Sequence, residues 1–324
     1  MGVNPARRAG RTRSYASAVP GLLDKRLLFV TGKGGVGKTT VAAALGRRAA
    51  RRGKRTIVCE LGGCERLAGA FGRPRVGFAE VELAPGLHAI SIDPEAALEE
   101  YLRDQMGPVS GLLSDNRLFQ HLAAATPGLR EMVTIGKVGE LAQPERRAAG
   151  GEPYDLVIVD SPASGHALAV LRTPRTFRDL ARAGPVRRQA DIIHGLIVDR
   201  SRTGVVAVAL PEQLPVNETL ELRTRLREEI GIELALVVVN GLWPARFTHA
   251  EVGRVGAALA AANGSVAAAL GAALAEHRRA TRQREQLRRL TAALGDGQLQ
   301  TLPFLFEAEL GAEALERLSH ELCA

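Results

Sequence analysis

Short apolar runs alternate with longer stretches of helical periodicity along this 324-residue chain. Runs rich in leucine and β-branched residues predict strands at 26–30, 56–59, 88–93, 156–160, 204–210, 234–240 and 299–303. Several of these runs are continuous (LLFV, LVIV, VVAVAL, LALVVV). A strand with water on one face alternates apolar and polar residues, whereas a strand covered on both faces does not. Helical patterns fill the intervals, as at 38–52, 215–230 and 270–294. Together these predict an α/β fold: a doubly wound, mostly parallel sheet with helices on both sides.

Two connections are too long for simple crossovers, at about 94–153 and 173–202. Both carry charged helical patterns (PEAALEEYLRD and RTFRDLARAG) and predict a helical subdomain beside the sheet. No internal repeat and no Pro/Ser-rich linker divides the chain, so one domain is expected over 25–324. A mobile basic tail is expected over 1–24, with Arg7, Arg8, Arg11 and Arg13 and no apolar run before Leu22. That tail lacks the apolar region of a secretory signal, and an Arg-rich transit peptide is the alternative. The longest uncharged stretch, 255–275, has about the ~20-residue length of a membrane span. It is dominated by alanine and broken by Asn263-Gly264-Ser265, which predicts helix, turn, helix instead.

Composition narrows the partners. The chain is 46% hydrophobic and 24% charged, an ordinary globular balance, and long enough to bury a real core. Its net charge of +8 comes mostly from arginine, since the lysines are only Lys25, Lys33, Lys38, Lys54 and Lys137. A basic surface favours anionic partners. With only 4% aromatic residues there is little to build a base-stacking platform, so nucleic acid is not expected. Cys59, Cys64 and Cys323 are too few and too badly spaced for a disulfide framework, which points to a reducing, cytoplasmic setting. No C-x-x-C pair is present, so structural zinc is not expected.

The sharpest chemical signal is the stretch from Leu28 to Thr40, which holds G-x-x-x-x-G-K-T directly after one predicted strand and before a predicted helix. That is the context of a phosphate-binding loop. Gly32, Gly34, Gly35 and Gly37, with Val36 and Lys33 between them, let backbone N–H groups turn inward around phosphates. Lys38 would place a point charge on the β- and γ-phosphates, and the Thr39 hydroxyl would ligate Mg2+. Thr40 follows in the first helical turn, whose N-terminus adds a favourable field. The same glycines also spell G-x-G-x-x-G, with Glu60 about 20 residues further on, the dinucleotide pattern. That reading gives Lys38 and Thr39 no role and is the weaker one. A second motif, from Tyr154 to Leu168, sets Asp160 at the end of a buried strand, where its carboxylate would hold the Mg2+ water shell.

The extra lysine of GKGGVGKT, Lys33, resembles the deviant phosphate-loop signature of septum-site and partition ATPases, nitrogenase iron protein and the arsenite-pump ATPases. The run from Gly165 to Pro174 resembles switch II of the arsenite-pump and tail-anchored-protein-targeting ATPase family. Three further stretches agree: His88 to Tyr101 resembles its I-D-P-x-x-A-L-E-E-Y segment, Pro211-Glu212 with Glu218-Thr219 its P-E…E-T segment, and Val237 to Asn240 its adenine-reading strand end. Compact chains of this kind resemble the actinobacterial anion-transporting branch. The resemblance implies a P-loop ATPase of the nucleotide-sandwich dimer type that uses ATP and Mg2+. It implies Lys33, Lys38 and Asp160 as catalytic groups, Thr39 and Asp160 at the metal, and Asn240 on the base. It also implies a homodimer or paralogous heterodimer whose nucleotide state switches a surface for a client or membrane protein. The location would be cytoplasmic or peripheral at the membrane.

Departures from the pattern matter. The family carries an aspartate in switch I that activates the attacking water, and Gly62 stands at its position here. Either Glu60 or Glu65 substitutes, or hydrolysis by the isolated chain is weak. The alternatives are a non-hydrolysing regulatory subunit of a heterodimer and a partition- or septum-type surface ATPase. Cysteines able to capture arsenite are missing from the helical insertions, as is a Met-rich client cradle. His166 is read as a switch or dimer contact. The arginines at 278, 279, 282, 284, 288 and 289 are read as a solvated helix face, with an anionic membrane surface as the alternative. Glu99-Glu100 and Glu228-Glu229 are assigned no chemistry.

Overall fold

The computed structural model describes residues 21–62, 66–106, 126–145, 152–307 and 310–322. Strand β1 (Leu27–Thr31) shows why the apolar runs are continuous. Leu27 and Phe29 pack into one layer, Leu28 and Val30 into the other, and all are buried. Successive side chains of a strand point to opposite faces, so a strand between two helical layers needs apolar residues at every position. β2 (Thr56–Leu61), β5 (Leu156–Asp160) and β6 (Thr203–Ala209) are likewise buried throughout, and β4 (Leu87–Ile92) and β7 (Leu234–Leu242) over most of their length, whereas β8 (Leu299–Pro303), at the sheet edge, buries only Leu299, Gln300 and Leu302. Every strand expected from the sequence is present, with small shifts at its ends.

The eight-stranded sheet also holds β3 (Val81–Ala84), which the sequence reading missed. Only Leu83 of this strand is buried, so it carries no apolar run to read. Strand order is β3-β4-β2-β5-β1-β6-β7-β8, and every pairing is parallel except that of β3 with β4. The chain leaves β1 for β2 on one side, then returns to place β6 on the other. The carboxyl end of β1 is therefore a topological switch point, the place where an open α/β sheet takes a ligand.

One face of the sheet is covered by α1 (Lys38–Arg51), α2 (Arg66–Ala70) and α10 (Ala312–Glu321), through Val41, Leu45, Leu67, Leu315 and Leu318. Leu22 and Leu23, assigned above to the tail, are buried in this same layer, so folded structure begins before residue 25. The other face carries α3 (Pro94–Met106), α4 (Leu129–Leu141), α5 (Ser164–Leu180), α6 (Pro185–Val198), α7 (Gln213–Arg225) and the second half of α9 (Gly264–Leu294). The insertion expected to start at 173 starts inside a helix: α5 runs straight through Thr173 and Pro174. Helix α7 is shorter than expected and ends in a π-helical turn over Leu226–Ile230, closed by Gly231. The uncharged stretch 255–275 is indeed helix, turn, helix. It runs from α8 (His249–Ala260), which starts on a capping box between Thr248 and Glu251, into α9. Among the described residues no helix is long and apolar enough to cross a membrane.

Helices α3 to α6 pack on one another and on the sheet as one layer. Its polar centre is Lys137, whose side chain is 7% exposed and lies 2.7 Å from Glu100 and 3.2 Å from Glu140. Burial alone would push this ammonium's pKa down. The hydrogen bond to Glu100 and the charges of both carboxylates outweigh it and hold the pKa above the usual lysine value. The ammonium is therefore held charged at neutral pH, and its contribution to stability is lost as pH rises through that raised value. An apolar pocket of about 200 Å3 opens beside it, lined by Ala97, Tyr101, Met132, Val133 and Phe177. Removing the ammonium leaves Glu140, 12% exposed, facing the more open Glu100 with no cation between them. Lys137→Ala is expected to cost about 1–3 kcal/mol, read as a lower urea midpoint with an unchanged slope.

Candidate functional site

β1 delivers the chain to the loop at Gly32, and α1 begins at Lys38. Two of the glycines are dictated by neighbours. At Gly32, φ +149°, a Cβ would lie 2.2 Å from the backbone oxygen of Val208 on β6. At Gly37, φ +91°, a Cβ would lie 2.3 Å from Nδ2 of Asn240 at the end of β7. A side chain at Gly32 would force the backbone of β6 aside, and one at Gly37 would displace the Asn240 amide and strain a left-handed backbone. Gly34 and Gly35 are exposed on the open side of the loop, and Val36 is buried beneath it. The first-turn N–H groups of α1, at Thr39 and Thr40 among others, have no partner within the helix and face a ligand's position with the positive end of the helix dipole.

The functional side chains meet around this loop. The Lys38 ammonium donates to the backbone oxygen of Lys33 at 3.0 Å, so it lies across the loop mouth. Thr39 Oγ1 donates to Asp160 Oδ2 at 2.5 Å. Asp160 ends β5, opposite Val30 of β1, and is 9% exposed. A hydroxyl and a carboxylate oxygen in contact are a hard oxygen donor set suited to a small divalent cation. Asn240 Nδ2 donates to the Val36 carbonyl at 2.9 Å, which braces the loop from β7. Lys33 bends to Glu218 on α7 at 2.8 Å, with both side chains about a third exposed. Behind the loop, Ser161 N–H donates to Val30 O, and Ser164 N–H at the start of α5 donates to Gly32 O at 3.1 Å. The segment after Asp160 is thus tied to β1 and to the loop.

Of the two carboxylates offered as switch I substitutes, Glu60 lies within the described residues and Glu65 outside them, as does Cys64. Glu60 sits opposite Asp160 in the β2–β5 register and is 2% exposed, and its Oε1 accepts the Leu67 N–H at 3.0 Å. Gly62 is exposed with φ +86°, and a Cβ there would meet nothing within 4 Å. His166 is exposed in the first turn of α5.

Other contacts escaped the sequence reading. Glu218 gave no hint of Lys33, because 185 residues separate them. Glu100, assigned no chemistry, holds Lys137, and Glu229 holds Arg225 at 2.7 Å. The second of these was legible as a helical pair four residues apart. Trp243, Phe304 and Phe306 form a cluster beyond Asn240, with ring centroids 4.9 and 5.1 Å from the tryptophan.

Residues 25–189 match the anion-transporting ATPase family. ATPase BagA of Mycobacterium tuberculosis is 32% identical over 237 residues, covering 71% of this chain and 68% of that protein. The arsenical pump-driving ATPases of Escherichia coli and Acidiphilium multivorum are 26% and 27% identical, each over 67% of this chain and 39% of their own length. The match contains the phosphate loop, Glu60, Gly62 and Asp160. A complete phosphate loop on a doubly wound sheet and the matched family converge on one conclusion: this chain belongs to the anion-transporting ATPase family and is an ATP-hydrolysing enzyme.

Proposed function

We propose that the chain binds Mg-ATP in the loop 32–40 and acts as a dimer, homodimer or paralogous heterodimer, whose nucleotide state switches a surface for a client or membrane partner. The observation that carries this reading is the Thr39–Asp160 contact at the loop, a hydroxyl and a carboxylate joined where a phosphate-bound cation would sit. Bound Mg2+ would neutralise charge on the β- and γ-oxygens. Lys38 would leave the Lys33 carbonyl for the transferring phosphoryl group, and Lys33 would add its charge once released from Glu218. Asn240 keeps Nδ2 on the loop, so its Oδ1 is the atom to accept from an adenine amino group. Glu60, beside Asp160, would position the attacking water in place of the switch I aspartate.

Gly62 favours a second reading of the same site, in which the isolated chain turns over weakly and a paralogous partner supplies the missing group. Position 62 has room for a side chain, and aspartate tolerates the left-handed region better than most residues.

Mg2+-dependent phosphate release by the purified chain, with Lys38→Ala as the blank, separates these readings. Slow release above the blank is expected. Glu60→Gln should lower it by about a hundredfold, the scale of a lost acid–base group. An undiminished rate removes Glu60 from the mechanism. Gly62→Asp should raise turnover, and an unchanged rate would count against the vacancy. Light scattering with Mg-ATP, alone and after mixing with a paralogous chain, should exceed the 34.5 kDa of one chain. A mass that stays at one chain in both mixtures overturns the dimer.

A further inference from the structure

The α8–α9 hairpin is a surface that the ATPase chemistry does not use. No residue of α8 is buried, and the buried residues of α9 begin only at Ala280. The preceding turns of α9, from Gly264 to Arg279, are about 22 Å long at 1.5 Å per residue and hold no buried residue. Residues 255–275 contain no charged side chain. A helix hydrophobic all round is ordinarily covered, and one left in water shows a polar face. Here Val266 at the turn is 59% exposed, with Leu259, Leu270 and Leu274 spaced along the two arms. Alanine and glycine fill the rest, so the two helices can lie close.

The foot of the hairpin is the opposite in character. From Arg246 to Arg289 there are eight arginines against three glutamates. Arg246 pairs with Glu276 at 2.6 Å, while Arg278, Arg279 and Arg282 are exposed. Arg279 stacks over Trp243 at 4.8 Å and Arg246 over Phe306 at 5.2 Å, with Phe306 56% exposed. An uncharged tip, an arginine collar and exposed aromatic rings at the collar form the vertical order of a bilayer interface: acyl chains, anionic headgroups, and the level that Trp and Arg prefer. A second copy of the chain would set the same arginine surplus against this one, whereas an anionic headgroup layer complements it.

We propose that the hairpin docks the protein on an anionic lipid bilayer, its tip entering one leaflet and its arginine collar resting on the headgroups. Within each arm the helix satisfies its backbone groups internally, and the polar turn around Asn263, with its open helix ends, limits entry to the shallow, hydrated part of one leaflet. A length of about 22 Å reaches into one leaflet but falls short of the ~30 Å core. The tip's side chains are small, so neither signal suffices alone and the two must act together.

The test is flotation of the 324-residue chain with phosphatidylcholine vesicles, with and without phosphatidylserine. Flotation is expected only with phosphatidylserine, accompanied by a blue shift of Trp243, the chain's single tryptophan. Val266→Asp with Leu270→Asp should abolish it, while phosphate release in lipid-free solution stays at the parent rate, reporting an intact fold. Arg278→Gln with Arg282→Gln should weaken it by about twenty-fivefold, at about fivefold per arginine. The proposal is overturned if the parent chain stays down with anionic vesicles. It is overturned equally if the tip variant floats as well as the parent, which would leave only charge adsorption. A fall in lipid-free mass in the tip variant would assign the hairpin to a second copy and overturn it too.

Discussion

The contact on which the site depends is the closure of the phosphate loop against the neighbouring strand ends. Val208 of β6 presses on Gly32, and Asn240 of β7 presses on Gly37 while its amide holds the Val36 carbonyl. A loop with this many glycines would otherwise be the most mobile part of the chain. Two backbone positions with no room for a methyl group, and one side-chain hydrogen bond, fix its N–H groups in advance. Sheet order makes this happen: only because β6 lies beside β1, and β7 beside β6, do residues about two hundred positions away reach the loop. The same order brings Asp160, on the other side of β1, to Thr39.

Electrostatics divides the site into parts that are held and parts that exchange. Lys33 and Glu218 are each about a third exposed, and such a pair contributes about 0.2–1 kcal/mol. A polyphosphate offers more charge than a single carboxylate, so this contact is a resting position rather than a lock. Glu60 and Asp160 differ. Both are at least nine-tenths buried and adjacent in register, one accepting from Leu67 N–H and the other from Thr39 O–H. Two neighbouring buried carboxylates repel when both are ionised.

The sequence made legible whatever depended on local pattern. Strands buried on both faces announce themselves as continuous apolar runs, and the loop announces itself because phosphate chemistry leaves little freedom at Gly32, Gly37, Lys38 and Thr39. β3 was invisible because one buried leucine in four residues has no period. Leu22 and Leu23 were misread because two apolar residues after an Arg-rich stretch resemble a tail, and only their burial shows otherwise. The insertion expected to start at 173 starts inside a helix that passes through Pro174. Proline removes one donor, and helix packing outweighs that loss. Lys137 with Glu100, and Lys33 with Glu218, pair residues on different helices or loops, which no spacing rule detects.

The end of β7 joins the loop to the rest of that edge. One residue beyond Asn240, the Gly241 carbonyl accepts from Gln283 Nε2 at 3.3 Å, and the Trp243 N–H donates to Gln283 Oε1 at 2.8 Å. Gln283 is 6% exposed and lies on α9, just past Ala280, where the buried residues of that helix begin. A buried amide that both donates to and accepts from one short segment holds it more rigidly than apolar contact would, because the hydrogen bonds are directional and costly to leave unmade. Arg284, the next residue, adds a bond from its guanidinium to the Trp243 carbonyl at 3.3 Å. The shape of the phosphate loop and the bearing of the α8–α9 hairpin are therefore set by one strand end. Its Asn240 side chain faces the loop, and its backbone from Gly241 to Trp243 is clamped to the helix that forms the hairpin's second arm.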